Sequence, residues 1–257
     1  MNNLLLAFRQ IMYETKAFRR NPPAAVFTFI FPLIFLVMLN LLFGNNTVDV
    51  TGGTTHASTF YVPAITAFSV ISACYTNLAM TITFSRDRGH LKRIKGTPLP
   101  SWVFFFGRIG NSILISMILV VIVVLSGALF YNVPIPINTL PALLITLIIG
   151  AATFSSLGIA ITTIIPNADA APAIVNALIL PLLFISDIFI PMHDAPKWLN
   201  IFTNIFPVKP FSSALQSAFN PFQTNSGFEL INIGIMTIWL LLGLFIAVRY
   251  FSWEPKD

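Results

Sequence analysis

From Ile109 to Ala168 the sequence reads IGNSILISMILVVIVVLSGALFYNVPIPINTLPALLITLIIGAATFSSLGIAITTIIPNA, without one charged side chain. A hydrocarbon core of about 30 Å is crossed by roughly 20 apolar residues in a helix, and backbone inside it must satisfy its own hydrogen bonds. The run suffices for two crossings and is cut once, at Asn132-Val133-Pro134-Ile135-Pro136, where two prolines and an asparagine mark a turn. Its apolar residues are continuous, whereas the strands of a membrane barrel alternate. Both crossings are therefore read as helices, at about 102 to 131 and 140 to 165. Working outward, stretches of the same kind at 24 to 43, 60 to 84, 171 to 190 and 229 to 250 bring the expected number of spans to six. Turn-forming clusters separate them: Gly44-Asn45-Asn46, Thr51 to Thr55, and Pro166-Asn167-Ala168-Asp169. With no repeat and no second domain, residues 1–257 are expected to form a single all-α transmembrane domain.

The composition excludes a water-soluble globule. Of 257 residues, 56% are hydrophobic and 9% charged, and the mean hydropathy is +0.84; soluble domains carry about a quarter charged residues. The 14 basic and 9 acidic residues cannot cover a core holding 25 Phe and the aliphatic residues. A net charge of +5 and a pI near 9.6 raise the question of nucleic acid. The position of the charges answers it: between Asn21 and Ser85 the only one is Asp49, which leaves no basic groove, so no nucleic-acid partner is expected. The lone Cys74 sits in an apolar run, cannot form an intramolecular disulfide, and reads as a packing residue. Leu4 to Leu6 is too short a run for a cleavable signal.

Orientation follows from lysine and arginine in the short loops. With six spans the termini share a side, and that side holds Arg9, Lys16, Arg19, Arg20, Arg86, Arg88, Lys92, Arg93, Lys95, Arg108, Arg249 and Lys256, leaving Lys197 and Lys209 opposite. Both termini are expected in the cytoplasm. Before the first span, Leu4, Phe8, Ile11, Met12 and Phe18 recur at helical spacing, with Arg9, Lys16 and Arg19 off that stripe. Residues 4 to 20 are thus expected to lie in the membrane surface against anionic headgroups, as a plain anchor or as a contact for a cytoplasmic partner. Pro22-Pro23 then turns the chain into the bilayer.

The loop from about 85 to 101 carries the most information: Arg86-Asp87-Arg88-Gly89-His90-Leu91-Lys92-Arg93-Ile94-Lys95-Gly96-Thr97-Pro98-Leu99-Pro100. Leu91 and Ile94 fall three apart on one face of a short helix, basic residues surround them, and Pro98 and Pro100 stop it. Such a helix between two spans is a lever: docked in a groove of a soluble motor, it passes movement to both spans. A loop that only fixes topology accounts for the basic residues but not for the glycine-bounded helix and its proline stop.

After the fifth span, residues 186 to 199 and 205 to 211 are too apolar for a solvated loop and too rich in proline for a straight span. They read as short re-entrant helices at the outer leaflet, with Trp198 in the interfacial belt. An ionisable group at membrane depth is a functional candidate, and Asp187 is the first: it is open to a cationic substrate, to pairing with Lys197 or Lys209, or to capping the next helix. Ser186, Asn77 and Thr81 are further candidates for a substrate path, though serine, threonine and asparagine also join helices, with Gly150 and Gly158 permitting close approach. His56, His90 and His193 form no ligand pattern, so no metal is expected. The many serines of the apolar helices have no nearby His and carboxylate to activate them, so no catalytic residue is expected. Asn45-Asn46-Thr47 matches a glycosylation sequon with nothing else in its support.

The basic loop, the Ser186-Asp187-Ile188-Phe189-Ile190-Pro191 turn and the Pro196-Lys197-Trp198-Leu199…Phe206-Pro207 segment, in this order on six spans, resemble the permease subunit of ABC-2 type exporters. Asp87, Gly89, Leu91, Ile94, Thr97, Pro98 and Leu99 fill the places of that family's coupling segment, basic-Glu-x-Gly-x-Leu-x-x-Leu followed by Thr-Pro-Leu. Residues 186 to 191 are similar to its Ser-Gly-x-x-x-Pro turn, with Asp187 where the glycine usually stands. The final Arg249-Tyr250-Phe251-Ser252-Trp253-Glu254 is similar to the ending of daunorubicin-resistance-type members.

The resemblance implies a dimer above two separate nucleotide-binding ATPase subunits, with the coupling residues Arg86, Asp87, Gly89, Leu91, Lys92, Ile94, Thr97 and Pro98 seated on the ATPase and a path between protomers. The sequence agrees in one respect. It lacks G-x-x-x-x-G-K-[ST], so ATP and Mg would be bound by the partner and no cofactor by this chain. The expected function is outward export of an amphiphilic drug, lipid or antibiotic-like molecule across the bacterial inner membrane. The alternatives are export of a lipid-linked polysaccharide or teichoic acid by the same machinery, and an ATP-independent ion-coupled carrier or intramembrane enzyme. The near absence of ionisable residues within the spans speaks against the last.

Overall fold

The computed structural model describes residues 3–44, 46–50, 52–189, 196–223 and 226–255. Helix α1 (Asn3–Arg19) covers the expected surface segment. Pro22 and Pro23 occupy the first turn of α2 (Pro22–Phe43), where a missing N–H costs nothing. A feature the sequence did not announce follows: β1 (Thr47–Val50) and β2 (Gly53–His56) pair antiparallel, Thr47 opposite His56 and Val50 opposite Gly53. Helix α3 (Ala57–Ile71) continues through a π-helical turn at Ser72–Thr76 into α4 (Asn77–Asp87), and together they form one rod of 31 residues. Then come α5 (His90–Lys95), α6 (Ser101–Tyr131), α7 (Leu140–Ile161), α8 (Ala171–Phe184), α9 (Lys197–Ile205), α10 (Val208–Phe219) and α11 (Leu230–Tyr250).

Among the described residues five helices are long and apolar enough to cross a membrane: Ala25–Phe43, Ala57–Asp87, Ser101–Tyr131, Leu140–Ile161 and Leu230–Tyr250. The protein is an all-α polytopic membrane protein. The fifth expected span, 171 to 190, is the exception, because α8 ends at Phe184 after 14 residues, a rise of about 21 Å against a core of about 30 Å. The Ile185 amide still bonds to the Pro181 carbonyl, but Asp187 takes a left-handed φ of +57° and the helix cannot continue. The returning segment does contain the expected short helices, α9 and α10. Pro191 to Ala195, including His193, lie outside the described residues, as do Asn45 of the sequon and Lys256.

Every residue of α3 is buried, and α2, α6, α7 and α10 surround it, while α11 packs along α7. Ile65, Ile71, Cys74, Phe154 and Phe211 lie at its centre. Gly158 is needed there: a Cβ on it would stand 2.9 Å from the carbonyl oxygens of Cys74 and Tyr75 in the π-helical turn. Gly150 likewise admits the Phe211 ring. The hydroxyl of Thr153 donates to the Met236 carbonyl at 3.0 Å and so joins α7 to α11, the kind of bond small polar residues supply in membranes. Phe27, Leu41, Leu129, Ile231 and Val248 point away from the bundle, as a lipid solvent permits.

Candidate functional site

The end of the bundle that carries α5 is built from Arg86 outward. Arg86 closes the long α3–α4 rod with its side chain only 1% exposed. Its guanidinium donates to three backbone carbonyls, Thr162 at 2.9 Å, Ile165 at 2.8 Å and Pro166 at 3.0 Å. The neighbouring Asp87 accepts from Arg86 Nε at 3.3 Å and from the Ala168 amide. Carbonyls at the end of α7 have no partner within that helix, and the planar five-donor fork of arginine satisfies them. The two residues therefore fasten the root of α5 to the connection between α7 and α8.

Gly89, at φ +71°, turns the chain out of α4, and Thr97 ends α5 by donating its hydroxyl to the Ile94 carbonyl at 2.6 Å. Leu91 is fully buried among Leu78, Ile82, Phe104, Phe105 and Ala247, with Ile94 and Leu99 beside it. The residues after α11 close over this cluster: Trp253 lies 5.1 Å from the Phe104 ring and 5.2 Å from Phe251. The apolar face of α5 is thus used within the chain. Of the coupling residues named from the sequence, Leu91, Ile94 and Arg86 anchor the helix, and the face left exposed carries Lys92, with Arg88, His90, Arg93 and Lys95, followed by Thr97 and Pro98. Lys92 Nζ stands 4.0 Å from Glu254 Oε2, both exposed, a pair worth little in water.

Asn77 and Thr81 share an inter-residue contact, with the Thr81 hydroxyl donating to Asn77 at 3.3 Å. They line a cavity of about 150 Å3 bordered by α1, α4 and α6. In its wall is an ion pair that sequence reasoning missed: Arg108 Nη1 to Glu14 Oε2, 2.9 Å, side chains 13% and 10% exposed. Gln10 donates to the same carboxylate at 3.0 Å, and Thr15 to Asn111 at 2.9 Å. The signal was present, since Arg108 lies within the apolar 102 to 131 stretch, where an ionised group requires a partner.

Asp187 and Ser186 do not join this cavity. They lie beyond α8, where Lys209 Nζ approaches Asp187 Oδ2 to 3.5 Å with side chains 10% and 16% exposed. Lys209 also donates to Asn200, and Gln216 to the Asp187 carbonyl at 2.7 Å. Of the pairings left open, Lys209 is the one found, and Ser186 is 1% exposed.

A helical membrane bundle with a short basic helix fastened across one end is the frame in which a membrane transport permease is recognised. The chain belongs to the ABC-2 type transporter family, which it matches over residues 8–220. It is 27% identical to the ycf38 protein of Porphyra purpurea over 192 residues, 74% of this chain and 65% of that protein. It is 22% identical to "Probable multidrug ABC transporter permease YbhR" of Escherichia coli over 153 residues, 60% of this chain and 41% of YbhR. The inner membrane transport permease YadH of Escherichia coli is 22% identical over 226 residues, 87% of this chain and 84% of YadH. The chain thus spans just under two thirds of ycf38 and less than half of YbhR. The daunorubicin-type branch is not singled out among these relatives.

Proposed function

We propose that this permease is the membrane subunit of an ATP-driven exporter in the bacterial inner membrane, with both termini cytoplasmic, working as a dimer with two separate ATPase subunits. The observation that carries the reading is the attachment of α5: a basic helix between two membrane-length helices, held by Leu91 beneath it and by Arg86 at its root. A partner gripping its outward cations would move α4, α6 and, through Arg86, the α7–α8 connection together. Because the exposed face is basic, the complementary groove is acidic. The substrate is an amphiphilic drug, lipid or antibiotic-like molecule; the multidrug designation of YbhR supports the drug side. The apolar outer face of α2, with Phe27, Ile34 and Leu41 exposed, is open to a second copy and to lipid.

The test is reconstitution of the permease with its co-encoded ATPase in liposomes. ATP-dependent movement of a fluorescent amphiphile, lost when ATP is replaced by a non-hydrolysable analogue, is the expected result. Transport by the permease alone under an ion gradient would contradict it.

A further inference from the structure

At the end of the bundle opposite α5, the hairpin, the start of α3, α10 and the start of α11 enclose a cavity of about 310 Å3, within the roughly 300–1,000 Å3 range of small-molecule sites. Its wall differs from the apolar surface around it. Thr59, Gln216, Ser217, Gln223, Glu229 and Asn232 bring hydroxyl, amide and carboxylate groups to one space. The Ser217 hydroxyl donates to Glu229 Oε1 at 3.0 Å, and Gln223 Nε2 donates to Ser217 at 3.2 Å, which fixes the carboxylate in the wall. Among the described residues none that lines the cavity is basic, and no lysine or arginine forms an ion pair with Glu229. Val50 and Thr55 of the hairpin border the cavity. The hairpin turn is seated on Phe222 so closely that a Cβ on Gly52 would stand 2.8 Å from the Phe222 Cβ.

A half-buried carboxylate with no cation, set among neutral donors and acceptors, complements a positive ligand with several hydroxyls. An anionic group would meet the carboxylate uncompensated, and an apolar one would strand the amides and hydroxyls. We propose that this cavity binds a protonated amine bearing hydroxyl groups, of which an amino sugar is the simplest form. The proposal deepens the export reading by naming a headgroup class for the transported amphiphile, but the binding it describes requires neither ATP nor the partner subunit.

Isothermal titration of the purified full chain in nanodiscs with glucosamine, glucose and glucose 6-phosphate separates cation, neutral sugar and anion. Glucosamine is expected to bind about ten-fold more tightly than glucose, the effect of one charge-assisted hydrogen bond, and the phosphate not at all. Glu229→Gln removes the preference for glucosamine, while Asn232→Leu weakens both sugars together and serves if the first variant does not fold. Equal affinity for the three sugars, a glucosamine preference that survives Glu229→Gln, or no glucosamine binding to folded wild-type protein overturns the proposal. Loss of ATP-driven transport alone would instead contradict the exporter reading and leave this binding result standing.

Discussion

The guanidinium of Arg86 reaches across the bundle to the backbone carbonyl of Thr162, 2.9 Å away, and ties the root of α5 to the end of α7. The same side chain holds Ile165 and Pro166 on the way to α8. Displacement of α5 is therefore not confined to the two helices it joins in sequence. Through that one buried side chain it would also pass to the end of α7 and the connection leading to α8.

Arg86→Lys keeps the charge but, with a single ammonium in place of the fork, cannot hold three carbonyls at once. Each such bond is worth about 1.5–3 kcal/mol, so the clamp loosens while α5 stays in place through Leu91. In the proposed complex, export is expected to fall about ten-fold while ATP hydrolysis by the retained ATPase continues. Transport and hydrolysis measured on one preparation check this, and unchanged export contradicts the clamp.

Asp187 and Lys209 should behave as a coupled pair. Asp187→Asn leaves the Lys209 ammonium, 10% exposed, with a neutral partner and is expected to cost about 2 kcal/mol; adding Lys209→Met recovers most of it. Asp187→Gly is expected to lose about 1 kcal/mol less than Asp187→Ala, because glycine accepts the φ of +57°. Thermal melts of the single and double variants in one detergent give the coupling energy directly.

Glu14 holds α1 to the bundle through Arg108. In Glu14→Gln the Arg108 charge lacks a counter-ion, and α1 is expected to open more often. A cysteine at Ala7, which is 1% exposed, should then be labelled by maleimide about ten-fold faster, corresponding to about 1.4 kcal/mol of local opening. Equal labelling rates with and without the substitution would show that the ion pair does not fasten α1.

Among the described residues five of the six expected spans were legible in the sequence because lipid demands long apolar runs, whereas the apolar composition of 171 to 190 hid the turn at Asp187 that leaves α8 short; α5 was legible because Gly89 and Pro98 punctuate a short amphipathic stretch. The direction in which α5 faces was not. Leu91 and Ile94 look alike whether they dock outward on a partner or inward on Phe104, and only the neighbouring helices decide. Arg86 read as one more cation of a basic loop, since its carbonyl partners lie far along the chain. The hairpin at Thr47 to His56 was hidden because threonines and glycines in four-residue strands have the composition of a turn. At Asp187 the sequence left open a cationic substrate, a pairing with Lys197 or Lys209, and a helix cap; the packing of α10 brings Lys209 to it.

In the proposed complex the outward cations of α5 seat the permease on an ATPase. Co-purification of the tagged permease with an ATPase encoded beside it, for wild type and for Lys92→Glu, Arg93→Glu and Lys95→Glu combined, puts this to the test. These side chains are exposed and leave Leu91 and Arg86 in place, so the variant is expected to fold and melt like wild type yet lose the ATPase subunit from the purified complex. Retention of the ATPase at wild-type stoichiometry by the folded charge-reversed protein would contradict the account.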